Sequence, residues 1–309
     1  MASLRSFQAI LQRNISASDE NWAYTVPNLP RQALTDAAGL VKCVSFVSSL
    51  TKQEARLRLE PAPQNRVVKT EPLHLLLILS FSDFRLVQAP SKDRLPGFAP
   101  AKESAKYIAT LLRSGIVLNG TRFHFFGHSN SQLKSRACFM LGVSKEVVSA
   151  KVEALGDFSS MKSVGKKAKR IGLLFSNAKV AIQLDPERTK DVPDVVRQDY
   201  TFTDGCGLIS EQLARRIVQR ANIIFRNKRY LPSVFQIRYR GYKGVLTRSP
   251  ALSGQVQVHF RQSMRKFGGV DDYSFSVVDY SKVHTMACSP PLTQHILMTV
   301  AVRLWASQR

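Results

Sequence analysis

The 309-residue chain is short of acid: 22 Asp and Glu stand against 45 Lys and Arg, for a formal charge of +23. Self-repulsion on that scale is tolerated when a polyanion neutralises it, so nucleic acid is the expected partner and an inert basic surface the bland alternative. Cysteine is scarce as well. Cys43, Cys138, Cys206 and Cys288 lie too far apart in sequence for a zinc knuckle, and a chain of this size needs no disulfide framework. Reduced, buried thiols are expected, and with them an intracellular protein. Long apolar runs are missing. The longest, "LHLLLILSF" at residues 73–81, is about half a membrane span and reads as a buried strand or short helix, so no membrane partner is expected. The N-terminal "MASLRSFQAILQRN" lacks the continuous apolar stretch of a secretory signal. No Walker-type phosphate loop occurs, and "GHSNSQ" lacks the second glycine of a nucleophile elbow. His124 and His128 have zinc-like spacing but no third ligand near them in sequence, so no metal site is expected there.

Apolar residues make up 44% of the chain, close to the globular norm, enough for one large or two ordinary domains. No internal repeat is found. "RLEPAPQNR" near residue 60 reads as a linker and "APSKDRLPGFAPAK" (89–102) as a second break. Tyr107, Ile108, Leu111 and Leu112 recur at helical spacing, with Gly115 as the stop. Asn119-Gly120 between β-formers predicts a tight hairpin. Lys162, Lys166, Lys167, Lys169 and Arg170 then precede a buried run. "AKVAIQL" reads as a strand and "DPERTKDVPDVV" as a turn-rich loop. Short strands, glycine turns and a single helix from 170 to 285 give the profile of a β-barrel with an inserted helix, not an alternating βαβ sheet.

Two glycine-flanked stretches stand out. In "FTDGCGLIS" (202–210), Gly205 and Gly207 relax a turn so that another chain or a ligand can approach closely, and Asp204 either braces that turn or faces a ligand. Ser210 is placed to cap the helix "EQLARRIVQRA", whose Leu213, Ile217 and Ala221 share one face. In "FQIRYRGYKGVL" (235–246), Phe235, Ile237 and Tyr239 point one way and Gln236, Arg238 and Arg240 the other. Gly241 and Gly244 bracket Lys243, whose ammonium is either a phosphate-binding point charge or a solvated group at a hairpin tip. "VHFRQSMRKFGG" adds Arg261, Arg265 and Lys266 among Phe260 and Phe267, rings that serve bases or, more often, a core. Asp271-Asp272 reads as a solvated loop.

Together these stretches resemble the eukaryotic RNA-dependent RNA polymerases of RNA silencing, most of all the fungal ones. "HFFGHSNSQLKSRACFM", "KKAKRIGLLFSNAKVAIQL", "FTDGCGLIS", "PSVFQIRYRGYKGVL" and "FRQSMRKF" are similar to successive blocks of that family, in its order and spacing, over roughly residues 100–285. The resemblance implies an α+β fold in which the first of two double-psi β-barrels occupies 166–285. A mixed slab-like region (66–165) precedes it, behind a poorly matched segment (1–65), and a divergent tail (286–309) follows. It implies template-directed synthesis of double-stranded RNA from single-stranded RNA and nucleoside triphosphates. Lys243 is implied as the barrel's catalytic lysine, and Gln236, Arg238, Arg240, Arg261 and Lys266 as its RNA- or nucleotide-facing neighbours. The family's Asp-x-Asp-Gly-Asp, which holds Mg²⁺ in the complete enzyme, does not occur here. The chain alone is therefore expected to be inactive and to be a truncated gene product or one with a shifted frame near its end. A catalytically inactive RNA-binding module is the alternative.

Overall fold

The computed structural model describes residues 6–14, 22–88, 95 and 97–282. Its first sheet uses β1 (Gln8–Ile10), β2 (Gln12–Arg13), β3 (Ala23–Thr25), β4 (Leu40–Ser48), β5 (Gln53–Pro61) and β6 (Leu76–Asp83). After a small ribbon of β7 (Val87–Gln88) and β8 (Gly97–Phe98), β9 (Ile116–Leu118), β10 (Thr121–Gly127) and β11 (Ala137–Leu141) complete it. β5 shows why such segments become strands: Ala55, Leu57 and Leu59 alternate inward while Arg56 and Arg58 face solvent. The apolar run at 73–81 is mostly strand, as expected, with β6 lying parallel to β4. Asn119 and Gly120 both adopt left-handed φ (46° and 80°), giving the tight β9–β10 turn their sequence requires.

The strand order is β1-β5-β4-β6-β11-β10-β9-β3-β2. β1 and β2 sit at opposite edges although only Leu11 separates them, so one stretch of backbone bridges the edges and closes the sheet on itself. Phe46, Leu57, Leu79 and Phe123 fill its core. The helix expected around Tyr107 is present, preceded by the short α1 (Gln32–Ala37). This α2 (Ala101–Ser114) ends at Gly115 and packs Leu111 into the same core. The boundary expected at residue 65 falls between β5 and β6 of this one sheet.

α3 (Asn130–Lys134), α4 (Lys145–Glu153) and α5 (Val164–Ile171) lead onward. The basic run before the buried stretch is thus a helix, begun by Ser163, whose side chain accepts a hydrogen bond from the Lys166 amide. The second sheet comprises β12 (Val180–Gln183), β13 (Thr189–Val192), β16 (Cys206–Ser210), β19 (Val234–Tyr239), β20 (Tyr242–Ser249), β21 (Val258–Arg261) and β22 (Ser274–Tyr280). Two small ribbons interrupt it, β14 (Val196–Arg197) with β15 (Tyr200–Thr201) and β17 (Ile224–Phe225) with β18 (Lys228–Arg229). The order β12-β22-β19-β20-β16-β21-β13 mixes parallel and antiparallel pairs around a barrel-like core of Ile209, Phe235, Ile237, Phe260 and Phe275. α6 (Glu211–Ala221) is the inserted helix. Ser210 caps it by accepting from the Leu213 amide, and Leu213, Ala214, Ile217 and Val218 are buried.

Two expectations are corrected. Residues 189–192, read as loop, form β13, because they pair in parallel with β21 nearly seventy residues on. Asp272, read as solvated, accepts from the Ser274 amide and pairs with Arg66 at 2.5 Å, fastening the second sheet to the first. Phe260 and Phe267 are buried, in the core role the sequence favoured for such rings. Cys43 and Cys138 are buried free thiols and Cys206 is a half-buried one; Cys288 and the tail from 286 lie outside the described residues.

Candidate functional site: the hairpin carrying Lys243

The two glycine-flanked stretches meet. β16 and β20 run in parallel from the pair Cys206–Val245, which sets Gly205 beside Gly244. The Val245 amide donates to Gly205 O at 2.9 Å, and a Cβ on Gly244 would overlap that same oxygen. The Gly205 amide in turn donates to Ser263 Oγ at 3.0 Å. The glycines thus serve a backbone-to-backbone approach rather than mobility.

Asp204 is exposed in its turn, and the bracing falls to a residue the sequence did not single out. Asp194 Oδ1 accepts from Thr203 Oγ1 (2.9 Å) and Ser263 Oγ (2.7 Å), and Oδ2 from the Ser263 amide (2.9 Å). Partial burial pushes its carboxyl up, but the bonds from Ser263 and Thr203 outweigh that and hold it below the usual range.

β19 and β20 form a hairpin whose two-residue turn, Arg240-Gly241, has left-handed φ at both positions (40° and 87°). Gly241 is required there, since a Cβ would overlap Phe267 O, and its own carbonyl accepts from the Lys266 amide at 2.9 Å. Arg240 is drawn off to the side: Nε donates to Val270 O at 3.2 Å and the guanidinium lies 5.2 Å from the Tyr273 ring centre.

Lys243 sits directly opposite Arg238 across the hairpin and is half-buried. Burial is the largest influence holding its ammonium below 10.5, followed by Arg238, Arg170, Lys169 and Lys266. All four neighbours are cations. Arg238 is pushed down to about 10 by burial alone. Its Nη1 donates to Ile237 O at 2.7 Å, while its Nε is buried without a partner. Arg170 Nε, from α5, is buried and unpartnered as well. A desolvated ammonium among guanidiniums with unused N–H groups is a site short of an anion.

Of the expected neighbours, the fold brings Arg238 and Lys266 to Lys243, with Gln236 two residues from Arg238 on the same strand face. Lys266 Nζ also donates to Ser263 O. Arg261 belongs to the turn beside Asp194, where its Nη1 donates to Pro193 O. Arg240 goes to Tyr273. Arg170 and Lys169 join from α5, which is not part of the second sheet; the charge run was legible, but its position against Lys243 was not. Asp191 is a further addition, accepting from Tyr242 Oη with both oxygens (2.8 and 2.7 Å).

The family model "RNA dependent RNA polymerase" matches residues 57–298. RNA-dependent RNA polymerase 1 of Arabidopsis thaliana is 31% identical over 227 residues, covering 71% of this chain and 20% of that protein. RNA-dependent RNA polymerase 6 of the same plant is 35% identical over 164 residues, covering 52% and 13%. RNA-dependent RNA polymerase 1 of Schizosaccharomyces pombe is 33% identical over 144 residues, covering 46% and 11%. The solved RNA-dependent RNA polymerase QDE-1 from Thielavia terrestris shares the fold with a TM-score of 0.59 at 18% identity, over 79% of this chain and 28% of that one. The chain belongs to the RNA-dependent RNA polymerase family. Its matched stretch amounts to about a fifth of the first Arabidopsis relative.

Proposed function

We propose that this chain is the portion of a silencing-type RNA-dependent RNA polymerase that supplies the catalytic lysine, in an enzyme that copies single-stranded RNA into double-stranded RNA from nucleoside triphosphates. Residues 166–285 are its first double-psi barrel, after the slab-like region 66–165. The observation that carries this reading is Lys243, half-buried directly opposite Arg238, with every charged group that acts on it among the described residues a cation. Its ammonium contacts phosphate of the nucleotide or the growing strand and offsets charge that develops as the phosphoryl group transfers. Arg238 and Arg170 add guanidinium N–H groups, and Lys266 and Lys169 add charge. Gln236 supports the same face. Arg240 and Arg261 act one step away, through the hairpin turn and the Asp194 turn.

The described residues do not fit a Mg²⁺ site. Among the described residues no three His, Cys, Asp or Glu gather, and the nearby Asp191 and Asp194 are engaged by Tyr242, Thr203 and Ser263. The metal belongs to a second barrel of the intact enzyme. Among the described residues no helix is long and apolar enough to cross a membrane.

The test places Lys243→Ala at the matching position of an intact relative and follows extension of a primed RNA. Loss of one preorganised charge of this kind costs about 100-fold or more in rate. Wild-type extension rates in the variant would end the assignment.

A further inference from the structure

A second cationic surface lies at the other end of the barrel. The chain enters β19 at Val234, which pairs with Thr247, whereas Lys243 sits near the turn at the opposite end of that hairpin. Residues 211–230 fill the connection that leads there, with α6 followed at once by the β17–β18 ribbon. The Ile223 amide donates to Val218 O of α6 at 3.1 Å, so the ribbon is fastened to the helix terminus. This stretch holds Arg215, Arg216, Arg220, Arg226, Lys228 and Arg229 against one acid, Glu211. Glu211 is already taken by Arg215 at 2.5 Å. The cations are exposed, and among the described residues no carboxylate pairs with Arg216, Arg220, Lys228 or Arg229. Like charges four residues apart, as in Arg216 and Arg220, work against the helix that carries them. Nothing in the barrel's packing calls for them, because α6 buries only Leu213, Ala214, Ile217 and Val218.

We propose that α6 and the β17–β18 ribbon form a docking surface for the phosphate backbone of double-stranded RNA, separate from the Lys243 site. Charge of a single sign on two rigid elements selects a polyanion. Proteins that hold single strands interleave such cations with open aromatic rings. Here Phe225 is half-buried with the Arg226 guanidinium 5.3 Å from its centre, and Tyr230 is half-buried too. With no free ring to receive a base, the surface suits a helix whose bases are already stacked and whose backbone is what a protein can touch. It rests on the reading that the intact protein works on RNA.

The experiment measures fluorescence anisotropy of labelled duplex and single-stranded RNA of one sequence, at least about 16 base pairs long, binding the purified 309-residue chain across a salt series. The variant is Arg216→Gln/Arg220→Gln/Lys228→Gln/Arg229→Gln. Four exposed cations elsewhere, Lys69 between β5 and β6 and three on α2 (Lys69→Gln/Lys102→Gln/Lys106→Gln/Arg113→Gln), are removed in a control of equal net charge, and thermal melts confirm that both fold. The expected result is a duplex affinity at least about tenfold weaker at low salt, with the logarithmic salt slope shallower by roughly three. Single-strand binding changes less than twofold, and a four-lysine version of the variant restores duplex binding. Unchanged duplex binding overturns the proposal, as does equal weakening of both RNAs or of the control. A wild-type chain that binds neither RNA would sink the RNA reading itself, which none of the variant outcomes does.

Discussion

Gly244→Ala tests how the lysine is held. The residue has an ordinary φ, so alanine brings no backbone strain. The added methyl would stand 2.9 Å from Met264 Cε and 3.0 Å from Gly205 C, and nearer still to Gly205 O. The methionine end can swing away. The carbonyl cannot, because Gly205 is fixed by the Val245 amide on one side and Ser263 Oγ on the other. Forced overpacking costs about 1–3 kcal/mol, and losing the Val245–Gly205 bond adds about 1. The sum, roughly 2–4 kcal/mol, is a large share of the stability of a domain. The comparison is Gly205→Ala: nothing lies within 4 Å of its added methyl, and only the left-handed penalty of about 1–2 kcal/mol at φ 71° applies. Urea unfolding followed by circular dichroism should show the midpoint falling for both, and further for Gly244→Ala. A wild-type midpoint for Gly244→Ala, or the reverse order, would show that β16 and β20 are not packed backbone to backbone.

Three other outcomes follow from the same geometry. Burial, then the bonds to Asp191, push Tyr242 up to about 12 from 10.0, so the stability tied to its neutral form is complete below pH 10 and fades as pH rises to 12; Tyr242→Phe should flatten that loss in alkaline melts and cost about 1 kcal/mol at pH 7. Asp194→Ala strands Ser263 and Thr203 donors and should cost about 2 kcal/mol at pH 7, while the wild type, whose Asp194 titrates below 3.8, should lose that contribution as pH falls through the depressed value. Because the Lys243 ammonium is less comfortable folded than unfolded, Lys243→Met should melt no lower than wild type near pH 7 while abolishing function in the intact enzyme; a clear drop in melting temperature would make the lysine structural.

What the sequence disclosed was local. Ser210 before an amphipathic run, Asn119-Gly120 between β-formers and the alternation through Phe235, Ile237 and Tyr239 each carry their structural consequence within a few residues. The order of several such blocks carried the family. The parts that escaped depend on partners far along the chain. β13 has turn-like composition and becomes a strand only because β21 lies beside it. Asp194 looks like any loop acid until Ser263, sixty-nine residues later, points two donors at it. Arg170 reads as one of many surface cations, and its unpartnered Nε beside Lys243 is a product of the docking of α5. Arg240 and Arg261 shared the right neighbourhood in sequence, but each was claimed by another carbonyl.

Phe267 has a double allegiance. Its carbonyl presses on Gly241 at the tip of the lysine hairpin, while its ring lies 4.9 Å from that of Phe158 in a cluster shared with Leu76 and Phe139 of the other sheet. The hairpin's aim is therefore set partly by the packing of the first sheet. A lesion at Phe158 would let the two sheets rock against each other and misdirect the ammonium while both cores stayed folded, a defect visible in turnover before it is visible in a melting curve.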